Sequence, residues 1–254
     1  MSSYWAFTKK EFLECFRTSK LVIIMVVFLL LGIMNPVLTK ITPELLSSLQ
    51  SEGMTISVAE TTALDSWAQY YKNMPQMGLI VLVIIFSGIL TNEISKGTLI
   101  NVLTKGLKRS TVILAKITMA VTVWTVSYIL AFLVSYFYTE YFWPDGSCEN
   151  LVLAAMCLWL FGVMLLASIM LGSVIFKGMA GCILFTGGTV VVMFIVNLFP
   201  KISEYNPLLL ASGNMNLITG AMDTGDIVKP IIVCILLIIT FLFSSCSIFK
   251  RIHL

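Results

Sequence analysis

The chain of 254 residues is too apolar for a water-soluble protein of its size. Hydrophobic residues make up 58% of the sequence, charged residues only 11%, and the mean hydropathy is +0.97. A soluble fold of this length cannot bury so much apolar side chain. The composition therefore excludes a soluble globular protein and predicts an integral membrane protein. The formal net charge of +3 is small, so the distribution of charges matters more than their sum.

Apolar runs of the length of a membrane span recur along the chain. A hydrocarbon core of about 30 Å requires roughly 20 apolar residues in a helix. Six runs of about this length are present: Leu21 to Leu38, Met77 to Asn92, Val112 to Tyr136, Leu151 to Phe176, Met179 to Phe199 and Pro230 to Phe249. We therefore expect an all-α membrane protein with six transmembrane helices in a single domain over residues 1–254.

The charges between these runs predict the orientation, because positively charged loops tend to stay in the cytoplasm. If the amino terminus is inside, most of the 16 Lys and Arg residues fall in cytoplasmic segments, and the basic residues outside are Lys40, Lys72, Lys201 and Lys229. Of the 13 acidic residues, those inside are Glu11, Glu14 and Glu93. We expect a multi-pass protein of the cell (plasma) membrane with both termini in the cytoplasm.

The segment before the first span, residues 1–20, is too polar to cross the bilayer. On a helical wheel one side carries Trp5, Phe12 and Phe16, and the opposite side carries Lys10, Glu14 and Arg17. This amphipathic pattern predicts a helix that lies in the headgroup region and contacts membrane lipid. A cleaved signal peptide is the alternative, but the segment contains acidic residues and no small-residue cleavage site follows the apolar run that begins at Leu21.

The connection from Thr39 to Gln76 is long for a membrane protein of this size. Thr42 and Pro43 have the residue types of a helix cap and a first helical turn, and Gly53 is suited to end that helix. A second helical piece carries Trp67, Tyr70 and Tyr71. These aromatic residues are typical of an interfacial belt, and the alternative is a vestibule that faces a substrate.

A short basic segment, Glu93 to Thr111, lies between the second and third spans on the cytoplasmic side. Gly97 and Gly106 bracket about two helical turns within it, and the segment contains Lys96, Lys105, Lys108 and Arg109. One interpretation is a short helix that, pressed on by a soluble partner, would transmit the motion of that partner into both spans. From charge alone, the alternative is a loop that only fixes the topology.

This segment resembles the loop between the second and third spans of ABC transporter permeases of the type-2 exporter class. The matching residues are Glu93, Gly97, Thr98, Leu103 and Arg109, followed by Ile113-Leu114-Ala115-Lys116 at the start of the third span. The overall layout also resembles that family. The resemblance implies a coupling helix that docks on a separate ABC ATPase subunit, which binds ATP and Mg, and it implies a second permease subunit, identical or related.

Lys116 is the one charged residue within an apolar run, and ionisable residues inside spans are functional candidates. It lies a few residues from the cytoplasmic end of its span, where a lysine stem can reach the headgroups. We therefore expect its side chain to snorkel to the membrane surface. A role in ion transport would require a deeper carboxylate partner, and no span contains one.

The connection over residues 200–229 contains an apolar run, Pro207 to Thr219, that is too short to cross the membrane. This length predicts a re-entrant or interfacial helix, closed by the turn-forming residues from Asp223 to Asp226. The family resemblance implies paired re-entrant helices here, which begin at Asn206 and Pro207 and form an outer gate. A loosely folded outer cap is the alternative.

Several kinds of catalytic chemistry are excluded by residues that the sequence lacks. His253 is the single histidine, which excludes a two-histidine zinc protease motif, and the chain has no Gly-Lys dipeptide and so no Walker-type phosphate-binding loop. We expect no catalytic residue, no metal site and no cofactor in this chain, and no contact with nucleic acid. Any ATP hydrolysis must therefore occur on a partner chain.

Together these patterns predict the transmembrane subunit of an ABC exporter that moves a hydrophobic or amphipathic substrate, such as a peptide, a lipid-like molecule or a drug. One rival is a secondary transporter or channel that works alone. Such proteins usually carry internal repeats or ionisable residues at the midplane of the membrane, and neither is evident here. A second rival is a membrane anchor or sensor subunit that transports nothing.

Overall fold

A computed structural model describes residues 3–48, 60–99, 104, 106–144, 146 and 148–251. Within these residues, six helical segments are long and apolar enough to cross a bilayer: Lys20–Leu45, Ala63–Ser95, Arg109–Phe142, Leu151–Phe176, Met179–Val196 and Val228–Arg251. The described ranges contain no strand. A helix satisfies its backbone hydrogen bonds internally, as a lipid environment requires. The prediction of an all-α membrane protein with six spans is confirmed.

The helices are numbered here in chain order. They are α1 (Ser3–Arg17), α2 (Lys20–Ser48), α3 (Ala63–Asn73), α4 (Leu79–Ser95), α5 (Arg109–Phe142), α6 (Leu151–Phe176), α7 (Met179–Val196), α8 (Pro200–Ser203), α9 (Leu209–Ser212), α10 (Asn214–Ile218) and α11 (Val228–Arg251). Successive spans run in opposite directions. We call the end that carries α1, the end of α4 and the start of α5 the loop end, and the opposite end the far end.

Close backbone contacts and polar pairs hold the long helices together. The Ser135 hydroxyl on α5 donates a 2.8 Å hydrogen bond to the carbonyl of Gly32 on α2. A Cβ added at Gly32 would lie 2.8 Å from the carbonyl oxygen of Ala131, so the glycine allows these two helices to approach closely. The Trp124 indole of α5 donates to the carbonyl of Trp159 on α6. These contacts place α5 between α2 and α6.

The spans differ widely in how much of their surface the chain itself covers. In α6, 67% of the most apolar window is buried, whereas the values are 17% for α7 and 11% for α11. In an apolar solvent such exposure has little cost. Of the six spans, α7 and α11 therefore leave the largest share of their apolar windows open to lipid or another protein.

The predicted helix start at Thr42 is wrong, because α2 continues through this position to Ser48 and contains both Pro36 and Pro43. The Thr42 hydroxyl donates a 2.6 Å hydrogen bond to the carbonyl of Leu38, four residues earlier, and so is used inside the helix instead of capping a new one. The predicted helix end at Gly53 lies outside the described residues.

The second span begins well before the predicted Met77. A capping box starts α3: the Asp65 carboxylate accepts a 2.8 Å hydrogen bond from the Thr62 amide, and the Thr62 hydroxyl accepts from the Asp65 amide. A π-helical turn, Met74–Gly78, then joins α3 directly to α4. The apolar run marked only the second half of a longer span.

The aromatic residues of α3 do not form the predicted interfacial belt. Trp67, Tyr70 and Tyr71 are each at most 5% exposed, and the Trp67 ring centroid lies 5.4 Å from that of Phe132 on α5. The neighbouring Ser66 shares a 2.7 Å hydrogen bond with Thr139 of α5, so this polar side chain of α3 is also satisfied within the bundle. These rings belong to the packed core, and Trp67 also borders a cleft of about 370 Å³.

At the far end, three short helices connect α7 to α11. The predicted apolar run Pro207 to Thr219 forms α9 and α10, with Gly213 between them. Leu208, Leu210 and Leu217 are buried, and the two helices pack against α6. The run is thus a folded part of the bundle and too short to cross a bilayer.

Candidate functional site

The segment from Glu93 to Thr111 leaves and re-enters the bundle at the loop end. Glu93 lies in the last turn of α4, and Gly97 ends this helix with a φ of 66°, a left-handed conformation that favours glycine. The Thr98 hydroxyl lies 3.4 Å from the Glu93 carbonyl oxygen. Residues 98–99 are again helical, and Leu99 is buried. The predicted coupling residue Leu103 lies outside the described residues.

The expectation that Lys116 snorkels to the membrane surface is wrong. Its side chain is only 1% exposed, and its ammonium group binds two carboxylates, Glu11 of α1 at 2.7 Å and Glu93 of α4 at 2.9 Å. A buried ammonium group without partners would be costly, and two ion pairs with short hydrogen bonds offset that cost. Carboxylate partners for Lys116 therefore exist, although they come from outside its own span.

A second lysine completes this cluster. The Lys10 ammonium lies 3.1 Å from Glu11, 2.6 Å from Glu14 and 2.9 Å from Glu93. Burial lowers the pKa of Lys10, but its hydrogen bonds to Glu14 and Glu93 and the charge of Glu11 outweigh burial and raise the pKa above its ordinary value. We call Lys10, Glu11, Glu14, Glu93 and Lys116 the ion cluster.

The ion cluster contains three carboxylates and two ammonium groups. Oxygen atoms of Glu11, Glu14 and Glu93 lie within 4.8 Å of one another, as ligands of a metal ion would. Lys10 already contacts all three carboxylates, and Lys116 contacts two of them. The arrangement is therefore an ion-pair network that joins α1, α4 and α5, and its lysines occupy the positions at which a cation would bind.

Residues 3–17 form the helix α1, and its orientation on the bundle determines which of its side chains are exposed. Trp5 and Phe16 are 63% and 62% exposed, whereas Phe12 is half-buried against the core. The face that packs on the bundle carries Phe7, Thr8, Glu11 and Cys15, which are all buried. Because these residues recur at helical spacing, the position of Glu11 could have been inferred once Lys116 was recognised as needing a partner.

Arg109 anchors the other side of the loop. It is the first residue of α5, and its guanidinium group donates to the carbonyl of Phe249 at 3.0 Å and to that of Lys250 at 3.5 Å. These carbonyls belong to the last described turn of α11. A cation at this helix end is also favoured by the helix dipole. Arg109 therefore ties the loop to the last span.

A cleft of about 310 Å³ opens beside the ion cluster at the loop end. It is lined by Glu11, Glu14, Glu93 and Lys116 together with Lys20, Asn92, Lys96 and Thr98. Lys96 is exposed, and the Lys20 side chain is half-buried. The loop end thus presents both basic and acidic groups to a molecule that approaches from outside the bundle.

The predicted gate residues lie at the far end, away from the ion cluster. Asn206 is 3% exposed; its side-chain amide donates a 2.6 Å hydrogen bond to the carbonyl of Met193, and its side-chain oxygen accepts one from the amide of Leu208. Pro207 beside it is buried. Asn206 therefore ties the turn between α8 and α9 to α7, and Asn206 and Pro207 form no common site with Glu93 and Arg109.

The fold and this site define the chain as an all-α, multi-pass membrane protein whose α1, α4 and α5 are joined by buried ion pairs. No family model matches the sequence. The chain is similar to a protein of Bacillus subtilis (strain 168) described as the uncharacterized transmembrane protein YxlG, with 21% identity over 212 residues, which covers 82% of this chain and 81% of that relative. The similarity supports a transmembrane protein.

Proposed function

We propose that this chain is the transmembrane subunit of an ATP-driven ABC exporter. In this proposal a separate ATPase subunit, which binds ATP and Mg, docks on the loop from Glu93 to Thr111. A second permease subunit, identical or related, completes the transporter in the plasma membrane. The proposal begins from the resemblance of this loop to coupling helices and is supported by the way the loop is anchored.

The observation that carries the proposal is that the described ends of the loop are tied to four helices. On one side Glu93 ends α4 and binds Lys10 of α1 and Lys116 of α5. On the other side Arg109 begins α5 and binds backbone carbonyls at the end of α11. A loop that only fixed topology would not need such anchors. A force on the loop therefore acts on four helices at once.

The charges of the ion cluster allow Glu93 to move without leaving a buried lysine unpaired. If Glu93 is pulled away, Lys116 keeps Glu11 at 2.7 Å and Lys10 keeps Glu14 at 2.6 Å. Because isolated buried charges are costly, this second pairing makes a displaced position of the loop accessible. ATP-driven approach of two ATPase subunits would supply the displacement and alter the packing of the attached spans.

The distribution of charge supports a hydrophobic or amphipathic substrate. The ion cluster lies at the loop end, and the remaining buried polar groups of the described spans are hydroxyls and amides such as Ser127, Ser168 and Asn35. For the second permease subunit, the α7 face with Leu184, Gly187 and Val191 is exposed, and a Cβ added at Gly187 meets nothing within 4 Å. Small residues on such faces allow helices to pack closely.

Photo-crosslinking from the loop tests this proposal. A photoreactive amino acid replaces Lys96 or Lys108, which are exposed near the two ends of the loop, and Lys72, exposed on α3, is the matched control position. Membranes of the source organism are irradiated, and the adducts are identified by mass spectrometry. We expect a nucleotide-binding subunit crosslinked from the two loop positions and not from position 72. Adducts with lipid alone from Lys96 and Lys108 would contradict the proposal.

The ion cluster also favours a second candidate, an ion-coupled secondary transporter. Buried ionisable residues in spans mark ion and proton pathways in such proteins, and Lys116 with Glu11 and Glu93 is a network of this kind. The two candidates differ in what drives them. Uptake into proteoliposomes that contain only this chain, driven by a pH gradient without nucleotide, would favour the second candidate.

A further inference from the structure

An apolar groove runs along the far half of the bundle between α7 and α11. Its volume is about 620 Å³, and its apolar lining includes Phe185, Val192, Val196, Val233, Leu237 and Phe241. From Phe185 to Val196 the groove spans eleven helical steps, or about 16 Å at 1.5 Å per residue. These dimensions match an extended hydrocarbon chain.

Of the polar side chains that border the groove, Thr189 and Asn206 are already used within the protein, and Tyr205 lies at the far end of the groove. The Thr189 hydroxyl donates a 3.0 Å hydrogen bond to the carbonyl of Phe185, and the Asn206 amide donates to that of Met193. The described residues that line the groove would therefore contact a ligand mainly through hydrocarbon groups. A polar molecule would lose hydration there without gaining partners.

A polar cleft of about 570 Å³ adjoins the far end of this groove. It is lined by Asn197, Ser203, Glu204 and Asp226 together with Lys229, Leu209 and Met222. The Lys229 ammonium lies 5.3 Å from the centroid of the Tyr205 ring, which itself lines the groove. Val196 in the groove and Asn197 in the cleft are also consecutive residues. The apolar and polar spaces thus meet at Tyr205.

The polar cleft carries both signs of charge. Lys229 and Glu204 form an exposed ion pair at 2.8 Å, and Asp226 adds a second carboxylate. The hydrogen bond and charge of Lys229 lower the pKa of Glu204 from its ordinary value, so this carboxylate stays ionised at neutral pH. An ammonium group matches the carboxylates and a phosphate group matches Lys229.

We propose that the groove and the cleft together bind one zwitterionic phospholipid. One acyl chain lies in the groove along α7 and α11, the phosphate contacts Lys229, and the headgroup ammonium contacts Glu204 and Asp226. The described residues that form the site all belong to this chain, so binding does not depend on a partner ATPase. The cleft has two carboxylates and one ammonium group, so a second copy seated on the same face would bring like net charges together.

A photoreactive lipid tests this site in the purified full-length chain. The chain is reconstituted in vesicles of phosphatidylglycerol that contain a small fraction of phosphatidylethanolamine with a diazirine near the middle of one acyl chain. Parallel vesicles contain the phosphatidylglycerol analogue. After irradiation, labelled peptides are located by mass spectrometry. We expect labelling by the phosphatidylethanolamine probe to concentrate on α7 and α11 around Val192 and Leu237.

Two exposed residues provide a matched pair of variants. Val192 lines the groove and Leu236 does not, and both side chains are more than half exposed. Val192→Trp should fill the groove and lower its labelling several-fold, whereas Leu236→Trp should leave labelling unchanged. Asp226→Asn together with Glu204→Gln should reduce the preference for phosphatidylethanolamine over phosphatidylglycerol roughly twofold to fivefold, as expected for exposed charge contacts.

Three results would overturn the proposal. The first is labelling spread evenly around the bundle, which indicates only the lipid layer that surrounds any membrane protein. The second is labelling of the groove that Val192→Trp does not change. The third is efficient disulfide formation between copies that carry Val192→Cys, which would place a second copy of the chain in the groove.

Discussion

Replacing Lys116 with methionine should destabilise the protein strongly. Lys116→Met keeps the length of the side chain but removes an ammonium group that is 1% exposed and binds Glu11 and Glu93 at 2.7 and 2.9 Å. Breaking a buried ion pair by removing one partner typically costs about 3–5 kcal/mol. Lys10 still reaches both carboxylates, so we expect the lower end, about 3 kcal/mol.

This loss should be visible in thermal unfolding of the detergent-solubilised chain. At about 2–4 °C per kcal/mol for a chain of this size, Tm should fall by roughly 6–12 °C. Lys72→Met removes an exposed lysine from α3 and is the control, for which we expect little change. Adding Glu11→Gln to Lys116→Met neutralises the carboxylate left most deeply buried and should restore part of the loss.

Two results would refute this reasoning. If Lys116→Met lowers Tm no more than Lys72→Met, the ion pairs of Lys116 do not contribute to stability. If the added Glu11→Gln lowers Tm further, the cost does not come from an unpaired buried carboxylate.

Three further predictions concern charge, topology and packing. Because the pKa of Lys10 is raised in the folded protein, the contribution of Lys10 to stability should be complete below the unfolded pKa of about 10.4 and lost only as pH rises further. The difference in Tm between wild type and Lys10→Met should therefore stay constant from pH 7 to 10. A change of this difference within that range would contradict the prediction. In a cysteine-free background, Lys72→Cys should react with a membrane-impermeant maleimide in intact cells, whereas Lys96→Cys should react only after permeabilisation, and the reverse pattern would invert the topology. A Cβ added at Gly162 would lie 2.5 Å from the Trp124 ring, so Gly162→Ala should lower the free energy of unfolding by about 1–3 kcal/mol, as measured by thermal unfolding. A Cβ added at Gly187 meets nothing within 4 Å, so Gly187→Ala should not lower it. Equal effects of the two variants would refute the close contact.

The spans could be predicted from the sequence because a bilayer requires long uncharged helices, a property of neighbouring residues. The first half of the second span was missed because Trp67, Tyr70 and Tyr71 alternate with polar residues and suit a membrane surface equally well. Only the contacts with α5, such as the hydrogen bond between Ser66 and Thr139, distinguish a buried helix from a surface helix here.

The candidate site was only partly predictable. The loop pattern indicates Glu93 and Arg109, but their partners are distant in sequence: Lys10 lies 83 residues before Glu93, and Phe249 lies 140 residues after Arg109. Arg109 binds backbone carbonyls, which every residue carries, so no residue type indicates its contact. In the sequence Glu11 is only part of a polar segment. Its burial depends on how α1 packs on α5, which the segment by itself does not indicate.

The central claim is that a separate ATPase acts on this chain through the loop. The most direct measurement is ATP hydrolysis by material that copurifies with the tagged chain from its native membrane. We predict nucleotide hydrolysis in the eluate, lost when residues 97–109 are scrambled in a chain that still unfolds cooperatively, and retained with Lys72→Met. A chain that elutes alone, hydrolyses no ATP and yet transports after reconstitution would contradict the account and favour a secondary transporter.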